Sequence, residues 1–278
     1  CVENLARLSE KKKNDLAEQK IKYIKDIPED FELTSRQAIQ RICAIKDMLY
    51  IDKEKIKESL KQLKYPYNHL DFEAYVKAIP RFENLRPNQF VTFQASLHVE
   101  KKDGNITHHN FLQTDNKDPR IGMIQFLIKH LNSNKGSIVV FNKTFEKTRI
   151  EELGRSFPQY KEELDKIIAR LWDLAWVFEN FYIYHSDQKG SSSIKKVLPV
   201  MCPELSYDML KINNGNDAQA EYWKLISNSY KGQKKKTVIN SLLKYCGLDT
   251  WAMIRILREV KNLVKAKTLP LKGDVFEV

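Results

Sequence analysis

Gly136-Ser137-Ile138-Val139-Val140-Phe141 is a compact apolar run of the kind a sheet buries in its middle. It leads straight into Asn142-Lys143-Thr144-Phe145-Glu146, the opening of a helix. Upstream, His69-Leu70-Asp71-Phe72-Glu73 reads as a short strand, and residues 89–99, with their aromatic and β-branched side chains, as a second. Lys102-Asp103-Gly104-Asn105 turns the chain into a third strand at 106–112. Asp118-Pro119-Arg120 starts a helix reaching about Leu131, with Pro near its first turn. Helices are predicted after Asn142 at about 144–156, 159–178, 193–200, 217–229 and 235–265. Three strands able to pair antiparallel, a helix, a buried strand and then helices make an α/β sheet flanked by helices.

Residues 1–64 read as all-helical and strongly charged. Ile27-Pro28-Glu29-Asp30 is a break, Thr34-Ser35-Arg36-Gln37 a helix start, and helices are predicted at about 35–49 and 53–63. This gives a small helical subdomain or linker at 1–64, a main domain at 65–267 and a C-terminal tail at 268–278. The chain opens on Cys1 instead of Met, the expectation for a part excised from a longer protein.

Over 278 residues, 42% apolar and 30% charged side chains fit a globular protein and exclude a disordered one. A net charge of +11 raises the case for a polyanionic partner, nucleic acid before membrane. Lysine-rich composition has blander origins, so charge alone assigns no partner. The four cysteines, Cys1, Cys43, Cys202 and Cys246, form no CxxC pair, which favours neither zinc nor disulfides and points to a reducing, cytoplasmic setting. No apolar run approaches the roughly 18 residues a membrane span needs, and the charged N-terminus is no signal peptide.

Three acidic groups stand out. Side chains alternate along a strand, so Asp71 and Glu73 share a face while Phe72 takes the other. Two neighbouring carboxylates repel unless a cation lies between them, and hard oxygen ligands suit Mg²⁺ or Mn²⁺. Glu146 falls in the first turn of the helix after the buried strand, where a carboxylate also serves the helix dipole and Asn142 also serves as a cap. Tyr245-Cys246-Gly247-Leu248-Asp249 puts the phenol and the carboxylate four residues apart on one helical face. Gly247 there suggests close approach of another backbone or a ligand. Taken singly, the groups read as an exposed acidic edge, a helix terminus and an ordinary amphipathic helix with a surface Asp.

Together, and in this order, Asp-x-Glu, Asn-x-x-Phe-acid and Tyr-x-x-x-Asp resemble the three motifs of the DEDD-type, DnaQ-like 3′–5′ exonucleases, whose domain is ribonuclease H-like. The family at large ends its second motif in Asp; a bacterial subgroup carries Glu there, as this chain does at Glu146. Further stretches resemble that subgroup: Asp118-Pro119-Arg120, Gly136 to Asn142, Phe145-Glu146-Lys147, Ser193 to Pro199, Pro203 to Tyr207 and Tyr245 to Thr250. The likeness spans residues 65 to about 264.

It implies a metal-dependent exonuclease with two divalent ions, Mg²⁺ or Mn²⁺, held by Asp71, Glu73, Glu146 and Asp249. Asp71 would be shared by both ions, and Tyr245 would orient the attacking water. Nucleic acid, DNA before RNA, is the implied partner, and members often carry an upstream RecB-like PD-(D/E)XK nuclease domain. Asn142 and Phe145 would shape the pocket for the terminal nucleotide, although Phe145 is equally a core residue. Ser193, Lys195 and Lys196 would grip the backbone or simply line a solvated helix. Asp173 would position part of the site or make a surface salt bridge. His108-His109 is discounted as a metal site, because adjacent strand residues face opposite ways. The competing readings are a nucleic-acid-binding module with a vestigial site and a structure-selective endonuclease on the same fold.

Overall fold

The computed structural model describes residues 1–266 and the backbone of Val275–Glu277; the rest of the expected tail at 268–278 lies outside the described residues. Ser9 accepts a hydrogen bond from the Lys12 N–H to start α1 (Glu10–Glu18). Thr34 and Gln37 form a reciprocal capping box for α2 (Ser35–Lys46), satisfying two donors that the first turn leaves unpaired. Then come β1 (Leu49–Ile51), α3 (Lys53–Leu60), β2 (Tyr67–Val76), β3 (Phe90–Glu100), β4 (Ile106–Leu112) and α4 (Arg120–Leu131). They are followed by β5 (Ile138–Val140), α5 (Lys143–Ser156), α6 (Lys161–Ile168), β6 (Leu171–Asp173), α7 (Ala175–Glu179) and β7 (Ile183–Tyr184). The last elements are α8 (Ile194–Met201), α9 (Gly215–Ile226), α10 (Gly232–Lys265) and β8 (Val275–Glu277).

The chain divides into two compact units. One gathers residues 1–62, 175–205 and 256–278, so the N-terminal segment joins later parts of the chain instead of standing as a consecutive block. It is not all-helical. Asp47 ends α2 in a left-handed conformation, and β1 then lies between β7, antiparallel, and β8, parallel. Leu49-Tyr50-Ile51 is too short to carry a period, so only its partners make it a strand. Buried Gln40 locks this unit: its amide accepts from the Ala6 N–H and donates to the Asn4 carbonyl and the Tyr184 hydroxyl.

The second unit comprises residues 63–174 and 206–255. It is a mixed sheet, order β4-β3-β2-β5-β6, flanked by helices. β2 pairs antiparallel with β3 and parallel with β5; β6 pairs parallel with β5. The predicted helix at 159–178 is therefore a correction: it is broken into α6, β6 and α7. Leu171-Trp172-Asp173 follows a helix whose apolar spacing it continues, and only pairing with β5 distinguishes it. β2 is also longer than the predicted five residues, running from Tyr67 past Glu73 to Val76.

One sheet face is apolar. Leu70, Phe72, Ala95 and Leu97 pack there with Met123, Ile124 and Leu127 of α4, Ile150 and Leu153 of α5, and Leu164 and Ile167 of α6. The other face carries the intervening residues, Asp71 opposite Ser96 and Glu73 opposite Gln94. Gly136, which precedes β5, has no room for a side chain: a Cβ there would lie 1.8 Å from the Pro66 carbonyl oxygen. Gly136→Ala is expected to cost at least about 1–3 kcal/mol, because backbone must move. An unchanged urea midpoint would refute that close approach.

Candidate metal centre

Strand alternation in β2 presents Asp71 and Glu73 on the polar face, and α10 brings Asp249 to meet them. One ligand oxygen from each of the three carboxylates lies within 4.8 Å of the others. Glu73 and Asp249 are buried, and Asp71 keeps part of its surface open to solvent. The pairing shifts between Glu73 and Ala74, which face Gln94 and Thr92, so Phe93 of β3 is the extra residue beside the second carboxylate.

The register of α10 is set by polar side chains of β3. The Gln94 amide donates to the Leu242 carbonyl (2.8 Å). The Thr250 hydroxyl lies 2.7 Å from both Ser96 Oγ and His98 Nδ1. Ser96 stands directly opposite Asp71, and Thr250 follows Asp249, so this tether spans the two acidic groups through one hydrogen-bonded pair. Thr250→Val keeps the shape and strands His98 Nδ1, while Ser96 keeps its bond to His108 Nε2, at a cost of about 1–3 kcal/mol. It is expected to weaken Mn²⁺ binding about tenfold in calorimetry, as outer-shell losses do. Thr250→Ser, which retains the hydroxyl, should bind as the parent does; equal loss in both variants would refute the tether.

Electrostatically the cluster is overcharged. The Asp71 carboxyl is pushed well above the usual carboxylate range by burial, then by the charges of Asp249, Glu73 and Glu146. The Cys246 thiol opposes this weakly by donating to Asp71 Oδ2 at 3.4 Å, and is itself pushed up by burial and then by Asp71. The Tyr207 hydroxyl donates to Asp249 Oδ1 at 2.6 Å. Tyr207 and Tyr245 pack edge to face, centroids 6.3 Å apart. Burial first and the Asp249 charge second hold both phenols far above their ordinary value, so they act as donors and not as bases.

Glu146 stands outside the tight trio but close enough for its charge to act on Asp71. It is 3% exposed, and its Oε2 has no hydrogen-bond partner. Burial, with Asp173 adding to it, pushes its carboxyl up to about 8, against relief from its own backbone N–H and from Arg149. A buried carboxylate oxygen without a donor, beside three crowded carboxylates, is chemistry that hard cations satisfy. The donor set fits the expected Mg²⁺ or Mn²⁺.

Other predicted residues fall into place differently. Asn142 is exposed and makes no side-chain cap; instead Asp173 caps α5, accepting from the Asn142 and Lys143 N–H groups (3.1 and 2.8 Å). Phe145 packs against the apolar core, edge to face with Phe90 and beneath the Arg149 guanidinium. Ser193, Lys195 and Lys196 belong to the unit that holds 175–205, not to the one bearing the carboxylates. His108 stacks on His98 and His109 on His130, on opposite sides of the sheet as alternation requires. The neighbour of Gly247 is the His108 ring, not a backbone. Sequence reasoning gave no role to Tyr207, whose loop carries no period, or to Cys246, which sits inside the third motif.

Residues 68–193 match a family described as a domain of unknown function (DUF2779). Uncharacterized protein MG366 of Mycoplasma genitalium is 31% identical over 80% of this chain and 35% of its own length. Its Mycoplasma pneumoniae homolog is 29% identical over 76% of this chain and 34% of its own. Uncharacterized protein UU173 of Ureaplasma parvum is 26% identical over 73% and 32%. The chain thus spans about a third of the length of these curated relatives.

Proposed function

We propose that the unit bearing the carboxylates is a 3′–5′ exonuclease that hydrolyses nucleic-acid phosphodiester bonds with two divalent ions, Mg²⁺ or Mn²⁺. One observation carries the reading: the strand pair Asp71 and Glu73 and the far-off helical Asp249 bring carboxylate oxygens within 4.8 Å of one another. Bound there, such ions would polarise the phosphate and lower the pKa of water. Asp71, Glu73 and Asp249 would hold them, and Glu146, with its free Oε2, would complete the set. Tyr245 and Tyr207, kept protonated, would donate hydrogen bonds that orient the attacking oxygen and fix the Asp249 carboxylate. A sheet of order β4-β3-β2-β5-β6, with β2 central and β3 antiparallel to both neighbours, supports the ribonuclease H-like reading.

The substrate class is nucleic acid, DNA before RNA, and the setting cytoplasmic; among the described residues no helix is long and apolar enough to cross a membrane. The relatives' greater length is consistent with an additional upstream nuclease domain. The test is a 5′-labelled single strand incubated with Mn²⁺ or with EDTA. Stepwise shortening from the 3′ end, only with Mn²⁺, is expected. Internal cuts that need no free end would replace this reading with an endonuclease, and tight Mn²⁺ binding without cleavage would refute hydrolysis.

A further inference from the structure

Two cations gather on one indole in the unit that holds the carboxylates. Lys77 Nζ lies 3.9 Å and Arg81 Cζ 5.0 Å from the Trp223 ring centroid. Neither forms an ion pair among the described residues; Arg81 donates only to the neutral amide of Asn116. An exposed cation–π contact stabilises each by about 0.5–1 kcal/mol, which biases a long side chain toward the ring without neutralising it. Two positive charges drawn to one ring, neither in an ion pair among the described residues, call for an anion.

Their position relative to the acidic site is fixed by α9. A Cβ at Gly215, its first residue, would lie 3.7 Å from Glu73 Oε2, so the helix starts beside the carboxylates. Trp223 comes eight residues later, about 12 Å along the axis. The end of β2 is tied to the same helix, the Val76 N–H donating to Gln219 Oε1 (3.0 Å), and Lys77 follows at once. Tyr222 stacks on Phe93 of β3 with centroids 3.7 Å apart, which seats the helix on the sheet. The cations and the carboxylates are thus rigidly spaced on adjoining elements.

We propose that Lys77 and Arg81, gathered on Trp223, form a phosphate clamp for the backbone of a single-stranded nucleic acid whose reacting end lies at the carboxylates. The clamp rests on the phosphodiesterase reading above. With about 3.4 Å or more of strand per nucleotide, it engages a phosphate two to four nucleotides from that end. It reads backbone and not sequence.

The experiment measures binding of a fluorescein-labelled oligo-dT by anisotropy across a salt series, in EDTA so that no cleavage occurs. Lys77→Gln/Arg81→Gln is expected to weaken binding about 5–20-fold and to flatten the salt slope by about 0.7 per lost phosphate contact. Lys77→Arg/Arg81→Lys, which keeps both charges, should restore most of the affinity and the slope. Trp223→Leu should reproduce much of the loss, and combining it with the Gln pair should add little. Circular dichroism confirms folding of each variant. A parent protein that binds while the Gln pair keeps its slope overturns the clamp alone. A parent that does not bind at all overturns the clamp together with the reading it rests on.

Discussion

Asp71→Asn is expected to abolish metal-dependent hydrolysis, by about 10³-fold or more, while raising the melting temperature of the metal-free protein. The two effects share one cause. Asp71 faces Asp249, Glu73 and Glu146, and in the absence of a cation their mutual repulsion adds to the cost of burial. A neutral amide of the same shape removes that repulsion, and stabilisation of about 1–2 kcal/mol fits what relief of a functional strain commonly yields. For a chain of this size that is a rise of several degrees. The same amide is a poorer ligand for a hard cation, and Mn²⁺ affinity should fall by more than the roughly 10–100-fold typical of outer-shell substitutions. Calorimetry with Mn²⁺ and thermal melts in EDTA read the two effects separately. A variant that is destabilised without metal would mean the carboxylate is satisfied as it stands, which removes the physical case for an ion.

The halves of the site differ in how openly the sequence displays them. Asp71 and Glu73 follow from strand alternation alone, because Leu70 and Phe72 claim the apolar face and leave the odd positions to the other. Tyr245 and Asp249 follow from helical spacing in a long segment whose apolar residues keep one register. What stays hidden is whatever depends on a distant partner. Leu171-Trp172-Asp173 becomes a strand only through β5, and Leu49-Tyr50-Ile51 only through β7 and β8. Tyr207 reaches Asp249 across a loop of irregular composition. One signal was present and unread: Gln94, Ser96 and His98 place polar groups at alternate positions of a buried strand, the pattern of a face that must bond to something. That something is α10.

Stability against pH should carry two opposed limbs in the metal-free protein, with His98 contributing to the acid one and Glu146, beside Asp71, to the alkaline one. His98 is buried against His108, and burial first, then the charges of His108, His69 and His109, pull it down to about 3 from an ordinary 6.5. The folded state therefore holds it neutral while the unfolded chain takes up a proton below about 6.5, so its contribution is lost as pH falls from there toward 3. Glu146 acts in the other sense. Pushed up to about 8, it stays protonated in the fold while the unfolded chain ionises above about 4.5, and its contribution is lost as pH rises from 4.5 through 8. The Glu146 contribution, if complete, is on the order of 5 kcal/mol, and that of the less buried His98 is smaller. Between about 4.5 and 6.5 the slopes of these two residues oppose each other, which predicts a maximum in the mildly acidic range with losses on both sides. Urea titrations in EDTA at pH 4, 5.5 and 8.5 should find it. Glu146→Gln should flatten the alkaline limb and His98→Asn the acid one, judged by slope and not by absolute stability. Mn²⁺, which binds the ionised carboxylates, should offset the alkaline loss increasingly as pH rises. Asp71 leaves a residual alkaline limb in Glu146→Gln, but a slope equal to the parent's would show that Glu146 is already ionised in the fold and needs no cation to keep it so.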